Sequence, residues 1–164
     1  MNNGMFYNAG LRFSCTRCSS CCRHDSGFVF LSEADLSRLA NICEMNYNEF
    51  IQAWCRWVPL NRERERLSLR EKSNYDCIFW RSNETGTTEN FNGCSVYNVR
   101  PLQCRVFPFW DSNVVSPEAW EAAAKSCPGI NSGKLFESTE IENYLRLMDE
   151  EPVIERDRKQ GGIG

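Results

Sequence analysis

The chain has 164 residues, of which 41% are hydrophobic and 25% charged, and its formal net charge is −3. This length predicts one domain with a modest core, and the acidic balance argues against nucleic acid as a partner. No segment approaches the roughly 18 uninterrupted apolar residues of a transmembrane helix, and the N-terminus lacks the features of a signal peptide. We therefore expect a cytoplasmic protein without a membrane or nucleic-acid partner.

The N-terminal part of the chain predicts a short extended segment, a cysteine-rich turn, a strand and a helix. The extended segment begins at Leu11, and the turn holds four cysteines within residues 15–22. An apolar run over residues 27–31 is typical of a strand. Ser32 is the expected N-cap of the following helix, because Asp35 stands three residues later, as in a capping box.

A second helix is predicted after Asn46. Glu49 occupies the third position after this cap, and apolar residues recur at helical spacing from Phe50 to Val58. Pro59 ends the pattern, because proline cannot donate the backbone hydrogen bond that a helix interior requires.

The middle of the chain predicts short strands joined by a loop. Residues 67–70 and 76–81 are typical of strands, and the polar stretch from residue 81 to residue 91 is typical of a hairpin loop. Residues 95–99 are predicted to form the returning strand.

Two further helices are predicted in the C-terminal part. Ser116 and Pro117 favour a helix that continues to about Ser126, and Ser138 or Thr139 begins the last helix.

The predicted fold class is α+β. We expect a small domain organised by metal, with short strands, a cysteine knuckle and about four helices. This single cysteine-cluster metal-binding domain is predicted over residues 1–152, followed by a flexible charged tail over residues 153–164.

Ten cysteines are the most informative feature of the composition. Cys15, Cys18, Cys21 and Cys22 form a C-x-x-C-x-x-C-C motif, whose thiolates can approach common points as in zinc and iron–sulfur sites. In a reducing compartment such clustering favours metal over disulfides, which are the alternative interpretation.

Four more cysteines are candidate ligands because they stand at the boundaries of predicted strands or loops. They are Cys77, Cys94, Cys104 and Cys127. Together the eight could form two four-thiolate sites, or one site and a multinuclear cluster, and the sequence leaves their division open. Adjacent side chains usually diverge, so we do not expect Cys21 and Cys22 to share one ion.

The remaining cysteines and the single histidine receive other predictions. Cys43 and Cys55 each fall within a predicted helix, so we expect them to pack as small hydrophobic side chains. His24 could replace a sulfur ligand or accept protons near the site, although we expect a structural or supporting role for it.

Charged and aromatic residues near the cysteines are candidates for shaping the site. Guanidinium groups favour thiolate over thiol and offset its negative charge, and the nearby arginines are Arg12, Arg17, Arg23, Arg100 and Arg105. Of these, Arg100 and Arg105 are predicted to support cofactor binding, since they can hydrogen-bond carboxylates or carbonyls around the site. Val106, Phe107 and Phe109 are predicted to shield the site from water, although core packing explains them equally well.

The ordered motifs resemble the YkgJ-type cysteine-cluster family, a CxxCxxCC zinc- or iron-chelating domain. The resemblance covers roughly residues 11–133 and rests on Phe13 with the four-cysteine motif, Cys77-Ile78-Phe79, the segment from Cys94 to Phe109, and Cys127-Pro128-Gly129. It implies the same eight cysteines as ligands. Many members have glycine where this chain has Ser20, and longer relatives such as flagellin lysine methylases carry a comparable cysteine module.

Three functions are consistent with these residues. The first is a metal-cluster protein, with a 4Fe-4S iron–sulfur cluster preferred over zinc and a redox or accessory role with a redox or protein partner. The second is a structural zinc module with two closed four-cysteine sites that binds protein partners. The third is a component of a methyl-transfer or redox enzyme, by analogy with the longer relatives, but the chain has no phosphate-binding glycine motif and no second histidine. Whether the protein is an enzyme is left open.

Overall fold

The computed structural model describes residues 5–82 and 92–158, and these combine α-helices with short antiparallel strands. The predicted α+β class is therefore confirmed. The hairpin loop predicted between residues 81 and 91 lies, apart from its first two residues, outside the described part of the chain.

Six helices are present among the described residues. They are α1 Glu33–Ile42, α2 Tyr47–Trp54, α3 Leu102–Val106, α4 Asp111–Val114, α5 Pro117–Ala124 and α6 Ser138–Glu150. The four helices of eight residues or more are the four that the sequence predicts. None of the described helices has the length and apolar character needed to cross a membrane.

Within residues 5–82 and 92–158, the strands form three small antiparallel sheets. They are β1 Leu11–Phe13, β2 Cys55–Pro59, β3 Arg64–Leu69, β4 Trp80–Arg81, β5 Gly93–Cys94, β6 Lys134–Phe136 and β7 Glu155–Asp157. The pairings are β1 with β6, β2 with β3 and β3 with β7, and β4 with β5.

The helix starts follow the predicted caps. Ser32 and Asp35 form a complete capping box on α1, and Asn46 and Glu49 form another on α2. The Ser116 hydroxyl accepts a hydrogen bond from the backbone N–H of Ala119 at the start of α5. Each cap satisfies backbone N–H groups that have no partner within the helix.

Four predicted elements are corrected by the structure. The strand predicted over residues 27–31 is reduced to an isolated bridge between Phe30 and Ser68, and the strand predicted over residues 76–81 is reduced to Trp80–Arg81 and a bridge at Cys77. Helix α2 ends at Trp54, and residues up to Pro59 form β2, because pairing with β3 places Trp57 opposite the buried Leu67. Tyr97–Val99 form a 3-10 turn instead of the predicted strand, and only Gly93 and Cys94 pair with β4.

The C-terminal segment is also more structured than predicted. Glu155–Asp157 pair with β3, and Val153 forms a bridge with Ser32. The flexible-tail prediction is therefore wrong for residues 153–158, whereas residues 159–164 lie outside the described part of the chain.

Two apolar clusters make up the core of the described part of the chain. The first gathers residues of α1, α2 and β3, and the second gathers residues of α4, α5 and α6 with Tyr7 and Phe109. Cys77 and Cys94 pack against the first cluster, whereas Cys127 packs against the second. The candidate ligands therefore border both cores.

Candidate metal centre

A cavity of about 300 Å³ brings the cysteine-rich segments together. Its lining includes all eight cysteines that the sequence analysis selects, namely Cys15, Cys18, Cys21, Cys22, Cys77, Cys94, Cys104 and Cys127. Cys43 and Cys55 do not line it; Cys55 is 2% exposed inside the first core, and Cys43 packs at the edge of that core. All ten cysteines are free thiols, so the structure does not support the disulfide alternative.

Backbone pairing holds Cys15 near Cys127. The Ser14 N–H donates to the Gly129 carbonyl at 3.0 Å, and Phe13 forms a bridge with Ile130. A Cβ at Gly129 would collide with the Ser14 carbonyl oxygen. Glycine thus permits the close approach of the two cysteine-bearing segments.

The four-cysteine motif is folded into a tight turn. Arg17 and Ser19 have positive φ values of 55° and 66°, and Ser20–Cys22 form a 3-10 turn. The Cys22 thiol donates to the Ser19 carbonyl at 3.3 Å. Since the left-handed residue is Ser19 and Ser20 has no positive φ, the motif forms its turn without glycine at position 20.

A second backbone link joins this turn to the middle of the chain. The Cys77 N–H donates to the Cys22 carbonyl at 2.8 Å, and the Trp80 N–H donates to the Cys77 carbonyl at 2.9 Å. Trp80 lies opposite Cys94 in the β4–β5 pair. This ladder brings three cysteines that are far apart in sequence to the same wall of the cavity.

The adjacent cysteines have opposite pKa shifts. Their mutual interaction is the main reason that the pKa of Cys21 falls to about 7 and that the pKa of Cys22 rises. The two thiols are therefore close enough to influence each other's ionisation.

Other thiols of the cavity also interact electrostatically with one another. Burial raises the pKa of Cys104, and the nearby Cys77 and Cys21 thiols raise it further. Burial also raises the pKa of Cys127, where Cys18 and Cys21 add to the effect. Cys21 thus interacts with thiols on both sides of the cavity.

The two predicted arginines differ in position. Arg100 lines the cavity, where it opposes the rise that burial causes in the pKa of Cys94. Its Nε is buried and has no hydrogen-bond partner among the described residues. Arg105 is exposed and does not line the cavity, so its predicted supporting role stays a prediction.

Other charged residues near the motif are engaged elsewhere or exposed. Arg17 lines the cavity, with its Cζ 4.5 Å from the centre of the Tyr97 ring, and Arg100 lies 3.7 Å from the same ring. Arg23 pairs with the buried Asp76 at 3.0 Å. His24 is exposed and does not line the cavity.

The apolar part of the lining is only partly the predicted one. Phe107 lines the cavity, whereas Val106 and Phe109 do not line it and are each 1% exposed, Phe109 within the second cluster. Sequence reasoning missed Trp110, which lines the cavity with its ring 5.0 Å from that of Phe107. Its position three residues after Phe107 is the signal that could have identified it.

The donor chemistry of the cavity fits a thiolate-bound metal. Cysteine sulfur is the preferred ligand of iron–sulfur clusters and of structural zinc. Among residues 5–82 and 92–158, no three Cys, His, Asp or Glu side chains are already gathered around one point. Binding therefore requires the thiols on the cavity wall to turn toward a common centre.

Comparison with known proteins agrees with the composition of the cavity. No solved structure matches the chain significantly. The sequence profile of the CxxCxxCC family, described as "Putative zinc- or iron-chelating domain", matches residues 14–128. This match begins just before Cys15, ends just after Cys127 and covers most of the chain, which therefore belongs to the CxxCxxCC family of zinc- or iron-chelating domains.

Proposed function

We propose that this metal-binding protein holds an iron–sulfur cluster of the 4Fe-4S type with cysteines of the cavity. It serves a redox or accessory role in the cytoplasm. The observation that carries the proposal is where the ten cysteines lie. Eight of them line one cavity, whereas Cys43 and Cys55 pack in or against an apolar core. Packing alone gives no reason for free thiols from five separate segments to share one cavity.

The size and lining of the cavity favour a cluster over a single ion. A cavity can hold a water molecule with only about 10–15 Å³ of accessible volume, whereas this one measures about 300 Å³. Phe13, Phe107 and Trp110 contribute aromatic surface to its lining. Such surface limits the access of water, and water access is one of the factors that set cluster potentials.

The positive charge in the cavity also supports thiolate ligation. Arg100 has a buried Nε without a protein acceptor in the described part of the chain, and Arg17 lies on the same lining. Guanidinium groups at these positions would offset the negative charge of several thiolates. When bound, a cluster of this kind supplies one-electron transfer.

The experiment that tests the proposal is metal and sulfide analysis of protein purified without oxygen. We expect iron with an equal amount of acid-labile sulfide, and a brown protein that bleaches in air. The Cys77→Ser and Cys94→Ser variants should lose most of the iron, whereas the matched Cys43→Ser control should keep it. A protein without bound iron, or equal loss in the control, would contradict the proposal.

A structural zinc module is the second candidate, and one observation favours it. Cys77 and Cys94 raise the pKa of both Cys22 and Cys104, whereas Cys18 raises that of Cys127, and Cys21 acts on all three. Two groups of four thiolates would suit two closed tetrahedral sites. A colourless, air-stable protein with about two zinc ions per chain would select this function.

A further inference from the structure

Cys104 lies on a helix that is too short to orient itself. Helix α3 has only five residues, and a single helical turn is unstable in isolation because nucleation is costly. The direction of the Cys104 side chain therefore depends on contacts that α3 makes with the rest of the protein.

The residue before Cys104 provides the most specific of these contacts. The Gln103 Oε1 accepts a hydrogen bond from the Phe30 N–H at 2.9 Å, and its Nε2 donates to the Phe28 carbonyl at 2.8 Å. The oxygen and the nitrogen of one side-chain amide thus both bond to the backbone of one extended segment, in the way that the backbone of a neighbouring strand would. The Gln103 carbonyl also accepts from the Trp110 indole N–H at 2.8 Å.

The start of α3 is tied to α1 by a buried carboxylate. Asp35 is 1% exposed, and its Oδ1 accepts a hydrogen bond from the Leu102 N–H at 2.9 Å. The other oxygen, Oδ2, accepts from the Ser32 N–H in the capping box of α1. With Leu102 and Gln103 both held, the backbone immediately before Cys104 has little freedom to rotate.

We propose that Gln103 is a positioning residue for the metal centre, acting through Cys104. This inference rests on the proposed function, since it requires Cys104 to bind metal. Only a side chain with one donor and one acceptor at this distance satisfies both the Phe30 N–H and the Phe28 carbonyl. Groups that orient metal ligands commonly change metal affinity about 10–100-fold when they are removed.

The informative substitution is Gln103→Glu. It keeps the size of the side chain, but it replaces the donor with an oxygen that faces the Phe28 carbonyl. Gln103→Met removes both hydrogen bonds without adding charge, and it gives a second measurement if the charged variant folds poorly. Gln52→Glu is the matched control, because Gln52 is exposed on α2 and does not line the cavity.

The experiment titrates full-length, metal-free protein with cobalt(II) under anaerobic conditions and follows the visible absorption of cobalt–thiolate complexes. We expect Gln103→Glu and Gln103→Met to weaken cobalt binding about 10–100-fold, and Gln52→Glu to bind as the wild type does. In the Cys104→Ser background, Gln103→Met should cause no further loss, because two residues that act through one contact are not additive.

Three outcomes overturn the inference. Wild-type affinity in both Gln103 variants would reject it while leaving the proposed function intact. A full additional loss in the Cys104→Ser background would show that Gln103 acts only through general stability. A wild-type protein that binds no cobalt would overturn this inference, and it would overturn the proposed function as well only if protein purified without oxygen also held no iron.

Discussion

Two regions of this molecule bury cysteine, and they differ in what surrounds the sulfur. In the first core, burial raises the pKa of Cys55 to about 12, and no other thiol contributes to the shift. In the cavity, burial raises the pKa of Cys104 as well, but other thiols and Arg100 also act on it. Burial and a nearby cation therefore do not identify a candidate ligand, because Arg70 lowers the pKa of Cys55 just as Arg100 lowers that of Cys104, whereas the company of other thiols does.

The largest effect on stability is expected from a substitution in the core, and it tests whether the core and the cavity contribute separately. Phe50 on α2 is fully buried in the first cluster, so Phe50→Ala should lower the free energy of unfolding by about 3–5 kcal/mol. Chemical denaturation of metal-free protein measures this loss. The folded fraction should still bind the wild-type amount of metal, and a proportionate loss of metal would show that core and cavity are not separable.

Removal of metal should have a somewhat smaller effect. A ligand that binds only the folded state stabilises it by about 2.7 kcal/mol when its free concentration is 100-fold above Kd. Adding a chelator should therefore lower the melting temperature of metal-loaded wild-type protein. Cys77→Ser protein should melt at the same temperature with and without the chelator. If the chelator lowered its melting temperature as much as that of the wild type, the stabilising metal would not be bound in the cavity.

The two arginines offer a matched pair. Arg100 lines the cavity, whereas Arg105 is exposed on α3. Arg100→Gln should weaken metal binding about 10-fold, because a cation that offsets thiolate charge is lost. Arg105→Gln should leave affinity unchanged in the same cobalt titration, and equal weakening in both variants would disprove the assignment.

The smallest effect is expected at Cys43, which caps the end of α1 and is only partly buried. Cys43→Ser should change the free energy of unfolding by no more than about 0.5 kcal/mol. It should also leave metal content unchanged, as determined by elemental analysis. A loss of metal here would mean that proximity to the cavity does not distinguish candidate ligands from packing cysteines.

The sequence predicted local features well because their causes are local. The caps at Ser32, Asn46 and Ser116 depend on side chains within three residues of the N–H groups that they bind. The selection of the eight cavity cysteines rested on spacing and on family resemblance, both visible in the sequence.

Other features could not be predicted because distant partners decide them. Helical spacing across residues 50–58 is also compatible with a strand, and pairing with β3 selects the strand for β2. Arg105 directly follows Cys104 in the sequence, yet its side chain is exposed. The direction of a side chain on α3 depends on how the whole domain packs, and the sequence near Arg105 does not show this. The tie between Gln103 and the Phe28–Phe30 segment spans more than 70 residues and leaves no local signal.

The most direct test of the central claim is X-ray absorption at the metal edge of protein purified anaerobically. Cavity thiolates predict a first coordination shell made only of sulfur, at about 2.3 Å if the metal is zinc, and a cluster adds scattering from neighbouring metal atoms. A first shell dominated by oxygen or nitrogen would contradict the claim that these cysteines hold the metal.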